Sequence, residues 1–372
     1  MINLEALKTF DLSGCSKLKK FPYIVENMPR LRSLDLSETA IKDLSLLVIH
    51  STGLRELKLK DCKNLSSLPI AICSLMSLRS INLTGCSKLD ELPENLGKME
   101  GLEAVCLRGT AITGLPSSFV HLKNLNFLSL SGCVGLPSSF VHLKNLKFLL
   151  LSGWVGPSSN KLTRFPLTQP RRSPDPMGML ECSLIGLCSL TMLKLSYCNV
   201  QTIPNVLGCL SSLERLNLKG NNFVCLPESI FQQSNLSTLN LSYCNVQTIP
   251  NDLGCLSYLN CLNLSGNNFV RLPESIIQLS YLRMLGLGGC THLRMLPNLP
   301  LNIKCIDATM CTSLETLSLR PEFDFRPCFN LLGCNKLIKN QDYGDLFSTM
   351  LRRYIQVCLS LSLSPSLSHV KF

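Results

Sequence analysis

The sequence predicts an α/β-type solenoid: short parallel strands stacked side by side, each joined to the next by a return. Two observations predict it. Leucines recur at near-constant intervals, and two segments are written twice. The anchor residues Leu12, Leu36, Leu59, Leu83, Leu107, Leu130 and Leu151 are separated by 24, 23, 24, 24, 23 and 21 residues. "LSYCNVQTIPNVLGCLS" begins at Leu195 and returns from Leu241, 46 residues later, with only Val206 exchanged for Asp252. "GLPSSFVHLKNLNFLSLSG" at 114–132 returns as "GLPSSFVHLKNLKFLLLSG" at 135–153. A self-similar period in this range means that one supersecondary unit is stacked many times.

Each unit reads L-x-x-L-x-L-x-x-N/C-x-L and closes on Leu-Pro or Ile-Pro, as in Leu213, Leu216, Leu218, Asn221, Phe223 and Leu226-Pro227. The pattern is that of a leucine-rich-repeat horseshoe of about thirteen units with a concave parallel sheet. A single unit cannot bury its apolar side alone, so the leucines must stack into ladders between neighbouring strands. The Asn or Cys position turns the chain inward, and Cys15, Cys62, Cys86, Cys133, Cys198, Cys244, Cys290 and Cys311 occupy it. These cysteines read as structural and reduced. The closing proline is expected to keep the return on the convex side extended rather than helical.

The repeats fall in two blocks, 1–153 and 187–319, on either side of a Pro-, Ser- and Arg-rich island at 154–186. From 320 the pattern changes. Phe323, Phe325 and Phe329 cluster, and 320–357 reads as the start of a different, truncated C-terminal extension, followed by a low-complexity tail at 358–372. The first leucines already lie in a repeat with no polar capping unit before them, so the chain is expected to be the back part of a longer protein or a truncated copy of one.

Composition narrows function. The net charge of +11 is spread along the chain, which is only weak evidence for nucleic acid or anionic lipid, so no nucleic-acid partner is expected, and no apolar run reaches the length of a membrane span. No phosphate-binding glycine loop appears, no catalytic constellation can be built from the five scattered histidines, and no Cys-x-x-Cys offers a metal clip. No enzyme activity, cofactor or metal is therefore expected. Asn-x-Ser/Thr strings at Asn82, Asn240 and Asn263 lie within the strand signature and read as coincidence rather than as glycosylation acceptors.

Display is the role left. The residues alternating with the ladder leucines face the concave side, and there Phe127, Phe148, Leu150 and Met192 form an apolar group. Lys58, Lys60 and Arg108 flank it on one side, and Lys194, Arg215 and Lys219 on the other. An apolar centre with a charged rim is the composition of a protein-binding surface.

"LSGCSKLKKFP", "LTGCSKLDELPENLGKMEGLEAVCLRGTAITGLPSS" and "LNLSGNNFVRLPESIIQLSYLRMLGLGGCTHLRMLPNLP" resemble the carboxy-terminal repeats of plant intracellular immune receptors. The group in question joins a Toll/interleukin-receptor-like domain, a nucleotide-binding switch and leucine-rich repeats (the tobacco-mosaic-virus resistance protein N-like members). "IDATMCTSLETL" followed by "FRPCFNLLGCNKLIKNQ" is similar to the junction into their post-repeat domain. The resemblance implies a pathogen effector or a guarded host protein as ligand, restraint of the nucleotide-binding domain of a full-length receptor, and a cytoplasmic or also nuclear location. A general scaffold for signalling partners is the alternative. An extracellular ectodomain fits less well, because such returns carry Gly-x-Ile-Pro where this chain carries Leu-Pro.

Overall fold

The structure is a computed structural model. It describes residues 6–20, 28–44, 53–131, 138–153, 184–201, 205–223, 226, 228–318 and 328–339. The chain forms two compact units, Met1–Asn217 and Leu218–Phe372.

Among the described residues the first unit carries nine strands, each paired in parallel with its neighbours in chain order. They are β1 (Thr9–Asp11), β2 (Ser33–Asp35), β3 (Glu56–Lys58), β4 (Ser80–Asn82), β5 (Ala104–Leu107), β6 (Phe127–Ser131), β7 (Phe148–Ser152), β8 (Met192–Ser196) and β9 (Arg215–Asn217). The second unit carries β10 (Thr238–Asn240), β11 (Cys261–Asn263), β12 (Met284–Gly286), β14 (Cys305–Asp307) and β16 (Cys328–Asn330) in one parallel sheet. There β13 (Met295–Leu296) pairs separately with β15 (Thr316–Leu317), and a short helix, α1, spans Asn335–Lys339.

The register explains the leucine period. Leu34, Leu57, Ile81, Val105, Leu128, Leu149, Leu193 and Leu216 are cross-strand partners in turn, and none is more than 2% exposed. One rung behind another removes each of these side chains from water, worth about 1.5–3 kcal/mol apiece. The first rung is the exception: Leu7, Phe10, Leu12 and Leu18 are half-buried and Cys15 is exposed, because β1 has a partner on one side among the described residues.

The Asn/Cys position closes each rung with hydrogen bonds rather than bulk. The thiols of Cys62, Cys86, Cys244, Cys290, Cys311 and Cys334 donate to the carbonyls of Leu36, Leu59, Leu218, Leu264, Leu287 and Ala308, at 3.0–3.3 Å. Asn267 does more. Its Nδ2 donates to the Leu241 and Leu264 carbonyls at 2.8 and 2.7 Å, and its Oδ1 accepts the Cys244 and Val246 amides at 3.1 and 3.0 Å. Burial pushes the Cys244 and Cys290 thiols up to about 11, which keeps them as donors.

Just before that position the backbone turns through the left-handed region. Glycine fills it in most rungs, as at Gly266 and Gly333, since only glycine adopts positive φ without a Cβ penalty. Glu38, Asp61, Tyr197, Tyr243 and Met310 hold the same place at φ between 57° and 60°.

Three expectations from the sequence are corrected. The returns are not extended throughout. Pro69, Pro93, Pro116, Pro250 and Pro273 are themselves extended, with φ from −72° to −58° and ψ from 133° to 159°, yet each leads a five-residue 3-10 turn. Proline fixes its own φ and lacks an N–H, but its carbonyl is free, and it accepts the first i→i+3 bond at 2.9–3.2 Å. Second, the ladder does not stop at the island: β7 pairs directly with β8 over five residues, from Phe148↔Met192 to Ser152↔Ser196. The island itself, but for 184–186, lies outside the described residues. Third, repeats do not end at 319. Strand β16 pairs with β14 in register, Ile306↔Phe329, and Cys334 bonds to Ala308 as other ladder cysteines do to their rungs. Phe323 and Phe325, the 340–357 segment and the 358–372 tail lie outside the described residues.

Candidate functional site

In a strand whose second and fourth residues are buried, the first and third must face away from the core. The parallel register then lines these outward residues up in columns. One column runs Ala104, Phe127, Phe148, Met192, Arg215 across β5 to β9. Its neighbour runs Cys106, Ser129, Leu150, Lys194, Asn217.

The predicted apolar group therefore assembles. Phe127 and Phe148 are direct cross-strand partners whose rings tilt by 40° at a centroid distance of 6.1 Å. Met192 follows Phe148 in the same column, and Leu150 lies one column over between Ser129 and Lys194. All four are half-buried, so each keeps part of its apolar surface open on the sheet face. Neighbouring strands are about 4.8 Å apart, so the group spans three adjacent strands, or about 10 Å.

The basic residues divide. Lys194 sits beside Leu150, Arg215 ends the column next to Met192, and Arg108 follows β5 on the near side. Arg108 and Arg215 are exposed, and among the described residues neither they nor Lys194 has an ion-pair partner. Lys58 and Lys60 do not join them. They lie on and just after β3, three strands or about 14 Å from β6. Each also has a carboxylate of its own: Lys58 reaches Glu56 at 3.4 Å and Lys60 reaches Asp61 at 3.7 Å. Lys219 belongs to the second unit, where its Nζ stands 5.3 Å from the centre of the Tyr243 ring, a cation–π contact. The sequence missed this contact because it joins the open end of one rung to the turn of the next.

The residues at the strand ends have a local task that the sequence alone left as coincidence. Asn82, Asn240 and Asn263 accept, through Oδ1, the amides of Thr84, Ser242 and Ser265 at 3.0 Å. Asp11, Asp35 and Asp307 do the same for Ser13, Ser37 and Thr309 at 2.8–3.1 Å. The Asn-x-Ser/Thr strings are thus side-chain-to-backbone turns that end strands.

Comparison with known proteins agrees with the repeats and the fold. The family described as "Leucine-rich repeat region" matches residues 30–163, and "Leucine Rich Repeat" matches 212–233 and 235–256. TMV resistance protein N of Nicotiana glutinosa is 33% identical over 234 residues, covering 62% of this chain and 17% of that protein. Disease resistance protein RPS4B of Arabidopsis thaliana is 40% identical over 130 residues, covering 35% of this chain and 10% of that protein. The chain thus spans less than a fifth of the length of either relative. Among solved structures, Toll in the Drosophila Toll–Spatzle complex superposes with a TM-score of 0.60 at 18% identity, over 85% of this chain and 45% of that one. The TLR13–ssRNA13 complex gives 0.51 at 20% identity, over 84% of this chain and 53% of that one. Both share the fold.

Proposed function

From the premise that leucine-rich-repeat models match residues 30–163, 212–233 and 235–256 and that the chain is similar to plant disease-resistance proteins, we propose that the open sheet face from β5 to β9 is its protein-recognition surface. The observation that carries the reading is the Phe127–Phe148 pair, continued by Met192 and Leu150. Aromatic side chains on a rigid sheet cost little entropy to fix on binding and are the residue types that carry interface energy. Arg108, Lys194 and Arg215 border them with unspent positive charge, which selects a partner with an acidic rim around an apolar centre. By relationship to the resistance proteins, that partner is a pathogen effector or a guarded host protein. In a full-length receptor the same repeats hold the nucleotide-binding domain in restraint. Lys58, Lys60 and Lys219 lie outside this surface and serve at most to steer a ligand towards it.

The role is recognition rather than catalysis, with no cofactor, no nucleic acid and no membrane insertion. No helix of the described residues is long and apolar enough to cross a membrane. A reducing compartment, cytoplasmic and also nuclear, suits the thiols that donate to carbonyls, a bond open only to free cysteines. The test is co-precipitation from challenged tissue. Phe127→Ser with Phe148→Ser should lose the wild-type partner, as should Arg215→Glu, whereas Lys58→Glu should keep it. Undiminished capture by the Phe variant would overturn the surface. Capture of the same signalling proteins with and without challenge would favour a general scaffold.

A further inference from the structure

The second unit carries a row of sulfur. Strand by strand, the outward column there reads Thr238, Cys261, Met284, Cys305, Cys328. Four consecutive cross-strand positions thus hold a thiol, a thioether and two more thiols, and all four residues are half-buried on the open face. These are not ladder cysteines. Cys290, Cys311 and Cys334 point into the core and donate to carbonyls, whereas Cys261 and Cys305 alternate with buried Leu262 and Ile306, and Cys328 holds the same register position beside half-buried Phe329.

We propose that Met284, Cys305 and Cys328 form a binding site for a soft monovalent metal ion, copper(I). Thioether and thiolate donors without nitrogen or oxygen select such an ion. The layout matters as much as the donors. Side chains rising from adjacent parallel strands about 4.8 Å apart offer ligands in a line and on one side. Two adjacent donors suit two-coordinate copper(I), whose ligand sulfurs sit about 4 Å apart across the metal at metal–sulfur distances of about 2.2–2.3 Å, and the long, flexible Met284 side chain can lean in as a third donor. The arrangement does not suit zinc, which needs four donors converging from all sides. Among the described residues no three His, Cys, Asp or Glu converge in that way.

The two thiols already interact. Cys305 and Cys328 are direct cross-strand partners on adjacent strands. Both thiols release their protons to the buffer when the metal binds, leaving a site of net charge −1. Sequence spacing gave no hint of this site, because a Cys-x-x-Cys search looks along the chain and these donors are gathered across strands 21 to 23 residues apart.

The test uses the full chain, kept reduced and anaerobic, with copper(I) itself as probe in competition with a chromogenic chelator. One tightly held ion is expected, bound more strongly as pH rises, with a sulfur-only shell at about 2.3 Å by X-ray absorption. Supporting partners of metal ligands are worth about 10–100-fold in affinity, so loss of direct ligands in Cys305→Ser with Cys328→Ser should cost roughly 100-fold or more. Met284→Leu should cost roughly tenfold, and Cys188→Ser with Cys255→Ser, which are exposed elsewhere, should cost nothing. Thermal unfolding of each metal-free variant at the wild-type temperature shows that the fold is kept. Undiminished affinity in the folded Cys305/Cys328 variant would overturn the site, as would nitrogen or oxygen in the metal's shell.

Discussion

Replacing Asn267 with alanine should be among the most damaging single changes in the second unit, although it removes only a small side chain. Asn267 is wholly buried and spends both ends of its amide on backbone groups of two consecutive rungs. Alanine leaves the Cys244 and Val246 amides without acceptors in the core. Each orphaned donor costs about 1–3 kcal/mol, so the pair should cost about 4 kcal/mol, with the Leu241 and Leu264 carbonyls adding less. The comparator is Cys244→Ala, which removes one thiol donor to Leu218 at 3.1 Å and should cost about 1 kcal/mol through that bond. Urea unfolding followed by circular dichroism measures both, read as a shift in midpoint at constant slope. Asn267→Asp sharpens the test. Its second oxygen would face two carbonyl oxygens where Nδ2 now donates, so at neutral pH it should be at least as costly as alanine. Burial raises that carboxyl in the folded state, so the lost stability should return in part as pH falls and the group protonates. A cost for Asn267→Ala no greater than that of Cys244→Ala would refute the view that hydrogen bonds at this position, rather than its volume, hold the rungs together.

Other outcomes follow from the same geometry. Gly97→Ala should destabilise by about 1–3 kcal/mol in thermal or urea unfolding, because its Cβ would fall on the Ser118 carbonyl oxygen of the next return. Met310→Gly should stabilise by up to about 1 kcal/mol, since φ there is 58° and glycine relieves the Cβ penalty, against which the unfolded chain gains some entropy. Stability should fall at alkaline pH. The Cys244 and Cys290 thiols sit at about 11 when folded against 9.0 for a free cysteine, so their contribution is whole below about pH 9 and is lost as pH rises towards 11. A shift of that size is worth roughly 3 kcal/mol per thiol, and Cys290→Ala should flatten the profile by an amount of that order.

The rungs were legible because a buried strand position tolerates only apolar side chains. Leu128 and Leu149 could be placed in one ladder from spacing alone. The outward columns were legible for the same reason in reverse, and Phe127 beside Phe148 follows from two copies of one segment at a single period. Three things were not legible. The return's form was hidden because proline constrains itself, whereas the 3-10 turn depends on where its carbonyl finds a donor three residues on. The rung at β16 was hidden because Phe329 and Leu331 stand where two leucines were sought, although Cys311 and Cys334 keep the 23-residue step. The separation of Lys58 and Lys60 from the apolar group was hidden because flanking in sequence order says nothing of the distance that intervening strands impose.

The internal duplication separates what the fold requires from what the surface displays. Leu216, Leu218, Asn221 and Phe223 recur unchanged as Leu262, Leu264, Asn267 and Phe269, and all eight are buried. Arg215 and Lys219 recur as Cys261 and Ser265, at outward or turn-side places where either residue leaves the strand in register with its neighbour. The period-2 alternation of a strand makes this possible, since a change at an outward residue need not move the inward one. One copy thus ends an apolar column with a guanidinium, and the other begins a row of sulfur. A solenoid built on such a strand can acquire a second surface chemistry without rebuilding its core, which is why the two copies can be so alike inside and so different on the face they present.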